Sequence, residues 1–153
     1  MQKFKVKNPA FRENIREKLI RQHFMKHLGV ELTHIEAGYI EAELDFEKSL
    51  QQQNGFLHGG VSATLCDISA GFAAYSLVEV DEGVVTGDLR VSYLNPGDAP
   101  KYLAKGWVIK TGKLLNFCES EVWGLYPDKE AVLIAKSSST MVTVKMKAIE
   151  NDG

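Results

Sequence analysis

One carboxylate stands alone in the most apolar stretch of this 153-residue chain. Asp67 is the only charged residue between Val61 and Leu77, a run rich in small side chains such as Ala63, Ala70, Gly71, Ala73 and Ala74. A helix that is apolar all round is expected to be buried, with something packed close against its backbone. A lone acid there is costly unless it is paired, hydrogen-bonded or neutralised. Just upstream, Asn54-Gly55 signals a turn and His58-Gly59-Gly60 leads into the helical run. A helix start leaves backbone N–H groups without intrahelical partners, and two glycines let another group approach them closely. Such a start suits an anion or a polarised carbonyl oxygen. Asp67 follows Gly60 by seven residues, about two turns, which puts it on roughly the same face. A carbonyl-polarising helix start and a buried acid thus share one element.

The elements around it follow from periodicity. Asn8-Pro9 predicts a helix start, and Phe11, Ile15, Leu19, Phe24 and Leu28 recur near helical spacing up to Gly29. Residues 30–35 and 39–46 read as strands joined at Ala37-Gly38, the second alternating Ile40, Ala42 and Leu44 with Glu41, Glu43 and Asp45. Four more strands are predicted over 84–94, 102–110, 115–125 and 131–144, the last three joined by short turns as an antiparallel meander. Residues 1–7 and the tail from Lys145 read as loose. One long buried helix with an antiparallel sheet around it is an α+β arrangement. The predicted organisation is an N-terminal helical extension over 1–28, a main domain over 29–145 and a flexible tail over 146–153. A single sheet leaves its edge strands open, so a dimer that continues the sheet is expected.

The spacing Gln52-x-x-Gly55-x-x-His58-Gly59-Gly60-x-x-x-x-Leu65-x-Asp67 resembles the signature of hotdog-fold acyl-CoA thioesterases, in particular the PaaI-like (phenylacetate-pathway) group. The segment from Thr86 to Pro96, TGDLRVSYLNP, is similar to that family's strand after the central helix. The resemblance spans roughly Leu28 to Val144 and implies a hotdog fold, a homodimer often paired again into a homotetramer, and active sites between subunits. It implies hydrolysis of an acyl-CoA thioester to free acid and CoA. The Gly59 N–H would then polarise the thioester carbonyl, and Asp67 of the partner subunit would act as general base or nucleophile. Gln52 or Asn54 would orient water or the carbonyl, His58 would hold the loop, and Thr86 would position Asp67 or water. Gly55, Gly60, Phe56, Leu57, Phe72, Tyr75 and Tyr93 are the candidate substrate-binding residues. Arg90 and Lys113 are the candidates for the CoA phosphates. No cofactor is implied, coenzyme A being part of the substrate. Each role has a structural counterpart: an acid that bridges helices, a loop histidine, a strand-edge threonine.

Other chemistry has less support. His-Gly-Gly also occurs in the oxyanion loop of α/β-hydrolases, but no G-x-S-x-G elbow is present and Ser62, Ser69 and Cys66 lack a triad. His23 and His27 stand i, i+4 with no third metal ligand evident, so solvated helix positions are expected and no metal. Dinucleotide and Walker motifs are absent. Cys66 and Cys118 fit small core residues, not a disulfide framework. Trp107 and Trp123 fit core or interface positions. A net charge of −2 carries no nucleic-acid or membrane footprint. No signal-peptide pattern opens the sequence and no apolar run reaches ~18 residues, so the cytoplasm is the expected location. The alternative function is a non-catalytic hotdog module that binds acyl-CoA as sensor or carrier. A hydratase on the same scaffold has a different His-and-acid pattern.

Overall fold

The structure, a computed structural model, describes residues 3–147. Its centre is a single long helix. Two short helices, α1 (Phe11–Arg21) and α2 (His23–Leu28), precede the strands β1 (Glu31–Glu36) and β2 (Tyr39–Asp45). The long helix α3 (Gly59–Tyr75) follows, and then β3 (Glu82–Tyr93), β4 (Lys101–Thr111), β5 (Leu115–Leu125) and β6 (Val132–Lys145). The six strands form one antiparallel sheet in the order β1-β2-β4-β5-β6-β3, laid around α3. This is the hotdog architecture, and the strands lie within two residues of the ranges that alternation predicts.

Small residues in α3 do bring backbone against backbone. A Cβ placed on Gly106 of β4 would lie 2.3 Å from the carbonyl carbon of Ser69 and 2.5 Å from the Ala70 nitrogen, so only glycine fits there. Ser120 of β5 donates to the Cys66 carbonyl at 3.0 Å and shares a hydrogen bond with Ser137 of β6. These hydroxyls tie the buried face of the helix to the sheet.

The N-terminal region departs from expectation. A single helix over the first residues is interrupted at Gln22, whose φ of −84° and ψ of 94° are extended. The step from Leu19 to Phe24 is five residues, which no continuous helix keeps on one face. The break resets the phase so that Met25 and Leu28 are buried, while Phe24 is 57% exposed. Asn8 does not cap the helix itself: its Oδ1 accepts from the Ala10 N–H at 3.0 Å in the turn before α1. Residues 1–7 are not uniformly loose either, since the Phe4 ring packs over Gly38. Of the predicted tail, Met146 donates its N–H to the Asp81 carbonyl at 3.0 Å, and residues 148–153 lie outside the described residues. No helix among the described residues is long and apolar enough to cross a membrane.

β3 carries a feature that alternation does not reveal. Its pairing with β6 shifts between Thr86 and Asp88, with Gly87 as the extra residue. A bulge changes which residues face inward from that point on. Val84 and Thr86 point toward α3 before it, and Leu89 and Val91 after it. A Cβ on Gly87 would come within 2.9 Å of the Val142 side chain.

Candidate active site

Asp67 projects from the middle of α3 and is half-buried, not fully buried as a lone charge in an apolar helix suggests. The open space beside it explains the difference. One cavity of about 390 Å³ runs from Asp67 toward the helix C-terminus, and a wider depression of about 610 Å³ runs toward Ala63 and Thr64. Thr86 donates its hydroxyl to Asp67 Oδ1 at 2.7 Å. That contact exists because the Gly87 bulge allows Thr86 to face inward while Leu89 still reaches the core. An acceptor oxygen held by a hydroxyl leaves the second carboxylate oxygen for another partner.

The helix start is built by short-range bonds. His58 is the N-cap of α3, and its Nδ1 accepts from the Gly60 N–H at 2.8 Å. The histidine therefore occupies one of the two glycine donors. Val61 donates to the His58 carbonyl, and the His58 N–H itself reaches the Leu50 carbonyl at 2.8 Å. Gly59 is left as the first helical residue, its N–H without a partner among the described residues. Tyr93 donates its hydroxyl to the Gly59 carbonyl at 2.9 Å and stands so near that a Cβ on Gly59 would meet its ring at 3.2 Å. Gly55 takes φ +85° in the preceding turn, the left-handed conformation that glycine adopts without strain. The Asn54 N–H is held by the Gln52 side chain in that turn. Gln52 lines the depression at Gly59, whereas Asn54 does not.

The predicted residues thus fall into two groups. Gln52, Phe56, Leu57, Gly59 and Tyr93 border one depression of about 400 Å³. Asp67, Phe72, Tyr75 and Thr86 border the other cavity. Eight residues of helix, roughly 12 Å of axis, separate Gly59 from Asp67. A single chain does not bring both onto one small group. Arg90 lies with Glu119 and Lys136 beside a shallow depression away from both, and Lys113 is exposed near the β4–β5 turn. Trp107 and Trp123 are half-buried with Lys136 and Lys105 over their rings, not part of the core around α3.

Residues of the N-terminal helices stand at the acid without having been singled out by their sequence. Lys18, Arg21 and Gln22 line the cavity with Asp67. The one signal they gave was the polar run Arg21-Gln22-His23, which interrupts the apolar stripe at the break. Both cysteines are free and buried, and burial raises the Cys66 thiol above its ordinary value and pushes that of Cys118 up to about 12. Neither supplies a thiolate near neutral pH.

Known proteins resemble this chain in sequence and in fold. The family model described as the thioesterase superfamily matches residues 54–127, the segment from the turn at Asn54 to the end of β5 and beyond. A candidate esterase of Halobacterium salinarum is 31% identical over 105 residues, 64% of this chain and 68% of that protein. The 1,4-dihydroxy-2-naphthoyl-CoA hydrolase of Listeria monocytogenes is 28% identical over 120 residues, 78% of this chain and 94% of the other. The crystal structure of a thioesterase family protein from Silicibacter pomeroyi superposes with a TM-score of 0.86 at 29% identity, over 88% of this chain and 98% of that one. With the fold shared almost end to end and the helix start and acid inside the matched segment, the chain belongs to the thioesterase superfamily, whose members are thioester hydrolases.

Proposed function

We propose that the chain hydrolyses acyl-CoA thioesters to the free acid and coenzyme A, and that within the superfamily it stands with the PaaI-like group. The carrying observation is Asp67, held by Thr86 at 2.7 Å beside open space in a helix with no other charge. The similarity to a naphthoyl-CoA hydrolase supports a CoA thioester as substrate. The Gly59 N–H receives the carbonyl oxygen as negative charge grows on it, a contribution of about 3–4 kcal/mol for one such donor. Asp67 takes the proton of the attacking water or attacks the carbonyl itself. On the water route the C–S bond then breaks and the thiolate takes the proton that Asp67 received. On the nucleophilic route the thiolate leaves an acyl-aspartyl anhydride, which water hydrolyses to the free acid and Asp67, supplying the proton to the thiolate. Gln52 orients the water or the carbonyl, and His58 keeps the helix start in shape. Coenzyme A enters and leaves as part of the substrate, and no cofactor takes part.

The roughly 12 Å of helix between Gly59 and Asp67 supports a site shared between two copies. β3, which carries Thr86 and Tyr93, is one of the two edges of the sheet, and a two-fold pairing of two such edges would set the Asp67 of one copy beside the Gly59 of the other. A further pairing of two dimers follows the same family pattern.

Thiol release from a panel of aryl- and fatty-acyl-CoAs, with wild type beside Asp67→Asn, tests the proposal. The exchange keeps size and polarity and removes the charge. Wild type should hydrolyse at least one thioester, and the folded variant should lose about 10²–10⁴-fold in kcat. Binding of acyl-CoA without release by wild type would instead make the chain a sensor or carrier.

A further inference from the structure

The cavity at Asp67 has a direction. Asp67, Gly71 and Tyr75 stand i, i+4, i+8 on α3, so the wall runs two turns from the acid to Tyr75, roughly 12 Å of axis. Gly71 is the informative residue along it. Glycine is disfavoured inside a helix relative to alanine, and Gly71 is not among the glycines with positive φ. A Cβ placed on it meets no atom within 4 Å. Neither backbone conformation nor packing within this chain requires glycine there, and what it leaves is room inside the cavity. Ile68, Phe72 and Met141 make the surrounding wall largely apolar.

The far end is different. Lys18 of α1 stands there, its Nζ 5.0 Å above the centroid of the Tyr75 ring, and Arg21, three residues on in α1, also lines the cavity. Among the described residues neither cation forms an ion pair. Both precede the segment 54–127 that matches the family model. An oxygen anion at the end of an apolar-walled cavity is unfavourable without a counter-charge, and an ammonium and a guanidinium supply one through charge-assisted hydrogen bonds.

We propose that this cavity receives the acyl group, and that Lys18 and Arg21 select an acyl group ending in an oxygen function, a carboxylate or a phenol, at the end remote from the thioester. The assignment deepens the thioesterase reading and rests on it. The acyl group enters past Asp67, lies along Gly71, and meets the two cations with its far end. Coenzyme A then stays on the opposite side of the acid.

The test uses the purified full chain and matched pairs of thioesters: adipoyl-CoA against hexanoyl-CoA, and para-hydroxybenzoyl-CoA against benzoyl-CoA. In at least one pair kcat/KM should favour the oxygen-terminated member by about tenfold or more, and which pair does so separates carboxylate from phenol. The double variant Lys18→Met, Arg21→Gln should bring that ratio to about one. Gly71→Leu fills the cavity and should lower kcat/KM for all four thioesters by about tenfold or more without lowering the thermal midpoint. Ratios near one in wild type overturn the proposal while leaving thioester hydrolysis intact. So does a double variant that raises KM equally for both members of a pair, which would give the cations to the CoA phosphates. Wild-type rates in Gly71→Leu would place the acyl group elsewhere. A wild type that hydrolyses none of the four and none of the wider panel overturns the parent reading, and this one with it.

Discussion

Asp67 and Thr86 are 19 positions apart and joined by one hydrogen bond of 2.7 Å. A hydroxyl donating to a carboxylate is worth about 1.5–3 kcal/mol when the acceptor is charged. Its use here is to fix which carboxylate oxygen faces the open space. Thr86→Val keeps shape and removes the donor, so kcat should fall about 10- to 100-fold, while Thr86→Ser should keep most of the rate. Steady-state kinetics with both variants checks this. Equal losses in the two would mean that the methyl group matters and the hydroxyl does not. Asp67 and Gly59 could be picked out by type and spacing alone, because a lone acid in an apolar helix and a glycine pair at its start are local features. Thr86 was marked only through family resemblance, and Lys18 and Arg21 not at all. Their importance lies in what folds against them.

The elements show why. α3 reads from the sequence as a buried helix, yet its seat is set by Gly106, a residue of a different element with no helical signal of its own. Gly106→Ala would push a methyl group to 2.3 Å from the Ser69 carbonyl carbon. Backbone lies on both sides, so nothing flexible can give way, and the expected loss of stability is about 1–3 kcal/mol or more. Denaturant unfolding of the variant measures it, and an unchanged midpoint would show that α3 does not rest on β4 as described. The bulge at Gly87 is likewise invisible to alternation. An unbroken period of two would turn Asp88 and Arg90 inward with Thr86, and one extra residue gives Leu89 and Val91 that place instead. At α1 and α2 the sequence did carry the warning, in the five-residue step from Leu19 to Phe24.

For the whole molecule, the separation of Gly59 from Asp67 decides the experiment. Gly59 is the first residue of α3, where proline is well tolerated, and His58 before it has φ −62° and ψ 134°, which suits a pre-proline residue. Gly59→Pro therefore deletes the N–H with little disturbance to the helix, Tyr93 being exposed and able to shift. Gly59→Pro and Asp67→Asn should each be nearly inactive alone. If a site joins Gly59 of one copy to Asp67 of another, mixing the two under subunit exchange restores about a quarter of wild-type activity, since half the dimers are mixed and each has one intact site. No recovery, with exchange verified by mass spectrometry, would mean that the two residues serve one chain.

By itself the sequence determined the order and type of the elements, the buried helix, the acid within it and the glycine pair at its start. These are readable because periodicity, turn residues and helix-end chemistry act over a few neighbouring positions. The tertiary structure decided where the groove at the acid runs, which hydroxyl holds the carboxylate, and that α1 brings two cations to that cavity. It also decided that Gly59 and Asp67 face separate depressions. Those outcomes depend on contacts between residues tens of positions apart, on a bulge one residue long and on a glycine in another strand. No local pattern encodes them, because their physical cause is the close approach of elements that meet only when the chain folds.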